Sequence, residues 1–375
     1  MVDSPEVTPS PMIPDYAGAN VRGIVPALLG PGKWTDSLPS WFPEPVIHAE
    51  QVVLLILDGL GWEQLVERRA LVPTLSGMVG GPITTVAPTT TATALSSIAT
   101  GLTPGEHGLL GYRMMIGGEV INVLRWNTPS GDRRRSHPPR DVQPYAAFLG
   151  YEIPVVAPAD LQGTAFTEAH LRGSRAVGWR SVSAIAVQVS RELSAGERFV
   201  YAYYGGIDKT AHERGFGDFY DSELRFADRL VADVLEALPP GAVLLVTADH
   251  GQVQVGERII DPAPELLSMV AAQSGEGRFR WWHAYRGTTD DLVTATTELY
   301  GDQAWVVTRQ QMIDEEWFGP AVAAPIAARL GDVALVAHQP VSFYDPADSG
   351  PFELICRHGS LTAAEILVPF VAAAR

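Results

Sequence analysis

A chain of 375 residues with 46% apolar and 19% charged residues can bury the core of one large α/β domain, or of a core domain carrying a smaller insertion. Its formal net charge of −16 repels long polyanions and argues against a duplex nucleic-acid partner. A small phosphate ester stays open, because bound divalent cations invert the local field. The single cysteine, Cys356, excludes an intramolecular disulfide and fits a reducing compartment.

Residues 1–45 are rich in proline and glycine and lack periodicity, which predicts an extended arm wrapping the core. The first residues show no basic segment leading into an apolar run, so no secretory signal is expected. The apolar runs that follow are strand-length and too short to cross a bilayer. A cytoplasmic protein without a membrane partner is the expectation. From 46 to 375 the chain reads as one α/β domain. Short apolar runs recur at 52–57, 153–157, 198–204, 242–247 and 333–338, bounded by Gly, Pro or Asp. That pattern predicts buried parallel strands with crossover helices, a doubly wound, mostly parallel sheet. The stretch 221–238 places Leu224, Ala227, Leu230, Val231, Val234 and Leu238 on one helical face. Two regions fit the alternation poorly, 112–150 with its GDRRRSHPPR core and roughly 252–345 with WWHAYRG. Both are expected to form a smaller inserted cap near the active edge.

Seven residues stand where apolar runs end or helices begin. Asp58 closes VVLLILDGLG, and Asp249 with His250 closes AVLLVTADHG. In open α/β sheets ligands bind beyond the carboxyl ends of strands, and a carboxylate–imidazole set suits zinc and its neighbours. Asp208 and His212, four apart in GGIDKTAHERG, share one face if helical. His358 lies in RHGS. Taken singly, each is equally a polar turn, a helix cap or a surface histidine. Thr89, Thr90 and Thr91 follow Pro88 and precede ATALSSIATG, which reads as a short helix ending at Gly101. A hydroxyl in its first turn faces the positive end of the helix dipole.

In this order the motifs resemble the alkaline phosphatase superfamily, and within it the type I phosphodiesterase/nucleotide pyrophosphatase branch, over roughly 50–110, 198–255 and 350–372. The resemblance implies an alkaline phosphatase-like core and two divalent metal ions, zinc or manganese. Asp58, Asp249 and His250 would hold one ion; Asp208, His212 and His358 would hold the other. Counting back from ATGLTPGEHG places the nucleophile on Thr91, itself a metal ligand, with a covalent phosphothreonine ester that water then hydrolyses. One position departs. The branch carries an Asn three residues after the nucleophile, where this chain has Ala94. Helix N-terminal amides, Thr93 or Asn127 are the candidates to replace it. The sulfatase signature is absent around the nucleophile, and Cys356 lies in LICRHG. The implied substrate is a small nucleotide phosphodiester, with bacterial cytoplasmic cyclic di-AMP phosphodiesterases the nearest pattern. Tyr112, Arg113, Trp126, Trp281, Trp282, Tyr285 and Lys209 are the candidates to stack on a base or meet a phosphate. The alternatives are a phosphomonoesterase or phosphonoacetate-hydrolase-like enzyme, a phosphomutase, and a non-catalytic metal-binding protein. Oligomeric state is not legible.

Overall fold

Seven strands build the central sheet of the computed structural model, which describes residues 9–31, 38–348 and 353–375. They are β1 (Gln51–Leu57), β2 (Val79–Thr84), β3 (Pro154–Pro158), β4 (Arg175–Trp179), β5 (Phe199–Tyr204), β6 (Ala242–Thr247) and β7 (Leu367–Ala374). Their spatial order is β2-β7-β6-β1-β5-β3-β4. The block from β6 to β4 is parallel, and β7 runs antiparallel to both its neighbours. The mostly parallel α/β expectation therefore holds. β1 and β6 are buried almost from end to end, as strands covered on both faces must be. The helix Asp218–Ala237 buries Leu224, Ala227, Leu230, Val231 and Val234, and Leu238 just beyond it is buried as well, matching the apolar stripe in the sequence.

Three strands of the central sheet escaped the sequence, its two edges β2 and β4 and the interior strand β7. β2 reads VGGPIT, β4 reads RAVGW and β7 contains Pro369, and glycine or proline inside a run argues against a central strand. Pro369 pairs with Pro82 of β2 and lies just past the last residue of β7 in register with β6, Phe370 opposite Thr247. Its missing N–H therefore costs the β6–β7 ladder nothing.

The run 333–338 is a strand, Val333–Ala337, but belongs to a second sheet with Val270–Glu276, Phe279–Ala284 and Ala304–Thr308. Apolar continuity says that a strand is buried, not which sheet it joins. A further small sheet joins Arg113–Ile116, Glu119–Asn122, Asn127–Thr128 and Gly131–Asp132. Both sheets fall inside the stretches expected to form a cap. The N-terminal arm is less extended than expected. It contains a helix, Ile24–Leu29, and buries Val21, Ile24 and Val25 completely. Tyr16 donates its hydroxyl to the Trp317 carbonyl at 2.8 Å. Among the described residues no helix is long and apolar enough to cross a membrane.

Candidate metal centre

β6, β1 and β5 lie side by side, so the residues leaving their carboxyl ends meet along one edge. Asp58 follows β1, Asp249 and His250 follow β6, and β5 leads into the helix Gly206–Arg214, which carries Asp208 and His212 one turn apart. Because β7 is antiparallel, its start reaches the same edge, and the loop before it brings His358. Two glycines permit this crowding. Gly59 has φ +77°, and a Cβ there would stand 2.8 Å from Asp208 Cβ. A Cβ at Gly251 would stand 2.1 Å from the Ala364 carbonyl oxygen.

All three histidines are oriented the same way. Nδ1 lies against a backbone carbonyl in each: Gly251 at 3.1 Å for His250, Cys356 at 2.7 Å for His212 and Thr89 at 2.9 Å for His358. A carbonyl only accepts, so Nδ1 carries the proton and Nε2 is left with a lone pair. Second-partner hydrogen bonds of this kind fix metal-ligating imidazoles. His250 and His358 stack at 3.7 Å between centroids. Burial, together with the neighbouring His250 and His212, holds His358 well below the usual imidazole range.

The carboxylates show the complementary deficit. Asp58 Oδ2 accepts from the Tyr203 hydroxyl, and Asp249 Oδ1 accepts from Gly59 and His250 N–H groups, each at 3.1 Å. Asp58 Oδ1 and Asp249 Oδ2 are buried with no hydrogen-bond partner. Burial, and then the charges of Asp249 and Asp208, push the Asp58 carboxyl well above its usual range. Buried, unpartnered carboxylate oxygens beside an imidazole nitrogen with a free lone pair suit a cation. The spacing fits one. His250 Nε2 stands 3.6 Å from Asp58 Oδ1 and 3.4 Å from Asp249 Oδ2, and tetrahedral ligands at about 2.1 Å from zinc are about 3.4 Å apart. Asp208, His250 and His358 form a second group with ligand atoms within 4.8 Å of one another. His212 Nε2 lies 3.2 Å from Asp208 Oδ1. Asp58, Asp249 and His250 lie together, their ligand atoms within 4.8 Å of one another. Asp208 and His358 also come together, with His212 alongside and His250 between the two groups.

The structure also separates the three threonines. Thr89 donates to the Ser360 carbonyl and accepts from Gly359 N–H. Thr90 stands at the N-cap position of the helix Thr91–Thr100 without a side-chain capping bond, and its hydroxyl hydrogen-bonds Glu276 instead. Thr91 alone faces the ligands, with Oγ1 3.1 Å from His250 Nε2.

The sequence profile of the type I phosphodiesterase/nucleotide pyrophosphatase family matches residues 52–143 and 125–360. The chain belongs to this family. It is a phosphoric diester hydrolase of the alkaline phosphatase superfamily, built on a metal-dependent site. A comparison with curated protein sequences finds no match. Among solved structures, an inactive murine ectonucleotide pyrophosphatase/phosphodiesterase 5 in complex with AMP superposes with a TM-score of 0.65 at 14% identity, covering 87% of this chain and 88% of that one. Phosphonoacetate hydrolase from Sinorhizobium meliloti 1021, in complex with phosphonoacetate, gives 0.61 at 17% identity, covering 87% and 90%. At these identities the likeness is one of fold.

Several residues expected to contact a phosphodiester are instead structural in this phosphodiesterase. Trp126 is fully buried, and its indole N–H donates to the His137 carbonyl at 2.7 Å. Trp281 and Trp282 are buried in the second small sheet. None of the three offers a free ring face. Arg113 is buried, with Nη1 2.5 Å from Asp345 and 2.9 Å from Asp348, so its charge braces the small sheets. Tyr112 accepts a hydrogen bond from Asn122 at 2.7 Å. Asn127 pairs across its sheet with Asn122 and Asp132. Tyr285 is exposed. Only Lys209 lines an open cavity at the site, one of about 680 Å³ shared with Trp179, Arg180, Tyr203 and Tyr204.

Three contributors were missed. Tyr203 hydrogen-bonds Asp58, and Gln252 donates to Asp208 Oδ1 at 2.9 Å. Glu276, buried, lies 3.6 Å from His358 Nδ1. Strand alternation gives a signal for the first, because Tyr201 and Tyr203 share the face of β5. Nothing in the sequence around Glu276 marks it.

The ligand sets predict two divalent ions per chain. Asp249→Ala is expected to lose one ion and keep the fold, read by elemental analysis and far-ultraviolet circular dichroism. Retention of both ions by that variant would remove Asp249 from the ligand set.

Proposed function

We propose that the chain hydrolyses a small phosphodiester through a covalent phosphothreonine formed on Thr91. The observation that carries this reading is the placement of Thr91 Oγ1 beside His250 Nε2, at the first turn of a ten-residue helix whose free N–H groups favour an anion. Two divalent cations held by Asp58, Asp249, His250, Asp208, His212 and His358 would neutralise charge on the phosphoryl oxygens and favour an ionised oxygen nucleophile at neutral pH. Zinc and manganese both suit the oxygen and nitrogen donors. Thr91 Oγ bonds to phosphorus as the bond to one ester oxygen breaks, and that alcohol leaves carrying a proton. Water then cleaves the threonine ester, releasing a phosphomonoester and restoring the hydroxyl.

The charged part of the substrate has a place beside Asp208. The cavity with Trp179, Arg180, Tyr203, Tyr204 and Lys209, which also has Asp160 on its wall, joins aromatic surface to two cationic side chains and one carboxylate, a chemistry that suits a nucleotide. The AMP bound by the murine relative supports the same class. Cyclic di-AMP, the specific substrate expected from the sequence, belongs to it, and a cytoplasmic site of action goes with that substrate. The phosphonoacetate hydrolase likeness keeps phosphonate cleavage as the second reading. The test is turnover by protein loaded with zinc or manganese on cyclic di-AMP, a linear dinucleotide, p-nitrophenyl thymidine 5′-phosphate, bis-p-nitrophenyl phosphate and phosphonoacetate. Nucleotide diesters are expected to show the highest kcat/KM. A kcat/KM no better on nucleotides than on bis-p-nitrophenyl phosphate would end the nucleotide assignment, and turnover of phosphonoacetate alone would end the diester one.

A further inference from the structure

A second cavity, of about 220 Å³, opens directly onto Thr91. Its walls come from four places, one of them Leu124 in the turn between Glu119–Asn122 and Asn127–Thr128. Leu95 stands one turn beyond Thr91 on the same helix. Tyr201 and Tyr203 come from one face of β5, and the segment from β3 to β4 supplies Val155, Leu161, Phe166 and Leu171. No Asp, Glu, Lys or Arg is among its described lining residues. Most polar side chains on the wall are already engaged, and the exception is Tyr201, whose buried hydroxyl has no partner. Thr164 donates to Thr167 at 2.9 Å, Thr167 to the Leu161 carbonyl at 2.8 Å, and Ser174 to the Leu171 carbonyl at 2.7 Å. His170 lies with Nδ1 2.7 Å from the Phe166 carbonyl and its ring stacked on Phe166. Burial lowers its pKa to about 4, so it is neutral at pH 7. Gln162 is exposed at the mouth.

We propose that this cavity receives the ester group that stays on phosphorus when Thr91 attacks, and that it selects a compact hydrocarbon group over a charged group or a nucleobase. The proposal rests on Thr91 as the attacking group. In an in-line displacement the leaving oxygen lies opposite the nucleophile, so a cavity walled by Thr91 and Leu95 sits beside the reaction axis, where the retained ester group must go. The cationic cavity, which reaches Gly205, Gly206 and Lys209, adjoins Asp208 instead. Size and polarity decide what fits. A cavity of about 150 Å³ lined by Leu, Ile and Phe stays dry and holds benzene, so this larger one holds a substituted ring or an alkyl chain of several carbons. A carboxylate or second phosphate would be stripped of water with no counter-ion. A nucleobase would bury several ring nitrogens and exocyclic groups against a wall with a single unpartnered hydroxyl, that of Tyr201, and would leave most of them unsatisfied. The preferred diester therefore carries a hydrocarbon group on one side and its charged or nucleotide part on the other. Cyclic di-AMP, which must place a nucleoside on both sides, becomes a poor fit.

Calorimetric titration of the metal-loaded protein with phosphonic acids tests this without needing turnover. The series runs from methyl to octyl, with phenyl, 4-carboxybutyl and adenosine 5′-monophosphate alongside. Affinity is expected to rise about three- to fourfold per methylene and level off once the cavity is full. The carboxybutyl compound should bind no more tightly than methylphosphonate, and adenosine 5′-monophosphate, whose nucleoside the cationic cavity can take, should not lose affinity when the apolar cavity is narrowed. Ala176 and Leu161 both line the cavity and are themselves exposed, so neither change threatens the fold. Ala176→Phe should move the plateau to shorter chains, and Leu161→Ala should move it to longer ones. An affinity independent of chain length, or carboxybutylphosphonate binding as tightly as pentylphosphonate, would overturn the proposal. Protein that shows the chain-length series but cleaves no diester would defeat the function proposed above and leave the pocket standing. A flat series in protein that cleaves diesters would do the reverse.

Discussion

Thr91→Ala is expected to lower kcat on the best phosphodiester by at least about 10³-fold, the scale on which loss of a covalent nucleophile is felt. Metal content should stay at the wild-type value, because the remaining six ligands are untouched. Thr89→Ala and Thr90→Ala should behave differently. Thr89 holds the Gly359–Ser360 turn after His358, so its loss is expected to weaken metal retention and stability before chemistry. Thr90 hydrogen-bonds the buried Glu276, and its truncation should cost about 1 kcal/mol of stability as a lost hydrogen bond with turnover within about tenfold. Rapid-quench detection of a protein-bound phosphoryl group at position 91 checks the covalent step directly. A wild-type kcat in Thr91→Ala, or an inactive Thr90→Ala with full metal content, would remove Thr91 from the chemistry.

The contrast among these threonines shows what a sequence can carry. Composition makes Thr89, Thr90 and Thr91 equivalent, and only motif spacing favours the last. Their hydroxyls separate in three dimensions because the helix begins at Thr91, which turns successive side chains toward different neighbours. The strand-end acids and histidines were legible because β1, β5 and β6 are continuous apolar runs whose ends are marked by Asp and Gly. β7 was not, because Pro369 breaks the pattern of a central strand, although that strand is what delivers His358 to the site. The aromatic residues expected to stack on a base failed for another reason. An aromatic side chain reads equally as core packing or as a stacking surface, and here Trp126 and Trp281 join the main apolar core while Trp282 joins the smaller core of the second sheet. The cavity beside Thr91 was invisible because its walls are contributed by segments some 100 residues apart, none of which is distinctive alone.

The second large effect concerns a charge pair that holds the site together from outside it. Arg278 and Glu365 are both completely buried. The guanidinium engages the carboxylate through Nε and Nη2, each at 2.8 Å. Its remaining donors go to the carbonyls of Gln339 and Val341 at 2.9 Å and Ala337 at 3.1 Å, so all five N–H groups are used. Glu365 in turn accepts from Ser360 N–H at 3.0 Å and the Thr362 hydroxyl at 2.6 Å. Ser360 lies two residues after His358, and Arg278 starts the strand Phe279–Ala284 of the second small sheet. The pair therefore ties that sheet to the turn presenting a metal ligand. Removing one partner strands a buried charge, which costs about 3–5 kcal/mol. Arg278→Met and Glu365→Met are each expected to lose stability on that scale in urea unfolding followed by circular dichroism, and to lose metal from the Asp208–His358 group first. The double variant Arg278→Met/Glu365→Met should recover most of the loss, because neither charge is then left alone and two apolar side chains occupy the volume. Recovery of stability without recovery of metal would mean that the pair orients the His358 turn as well as bracing the fold. Single variants as stable as the wild type would show that the pair contributes nothing to either.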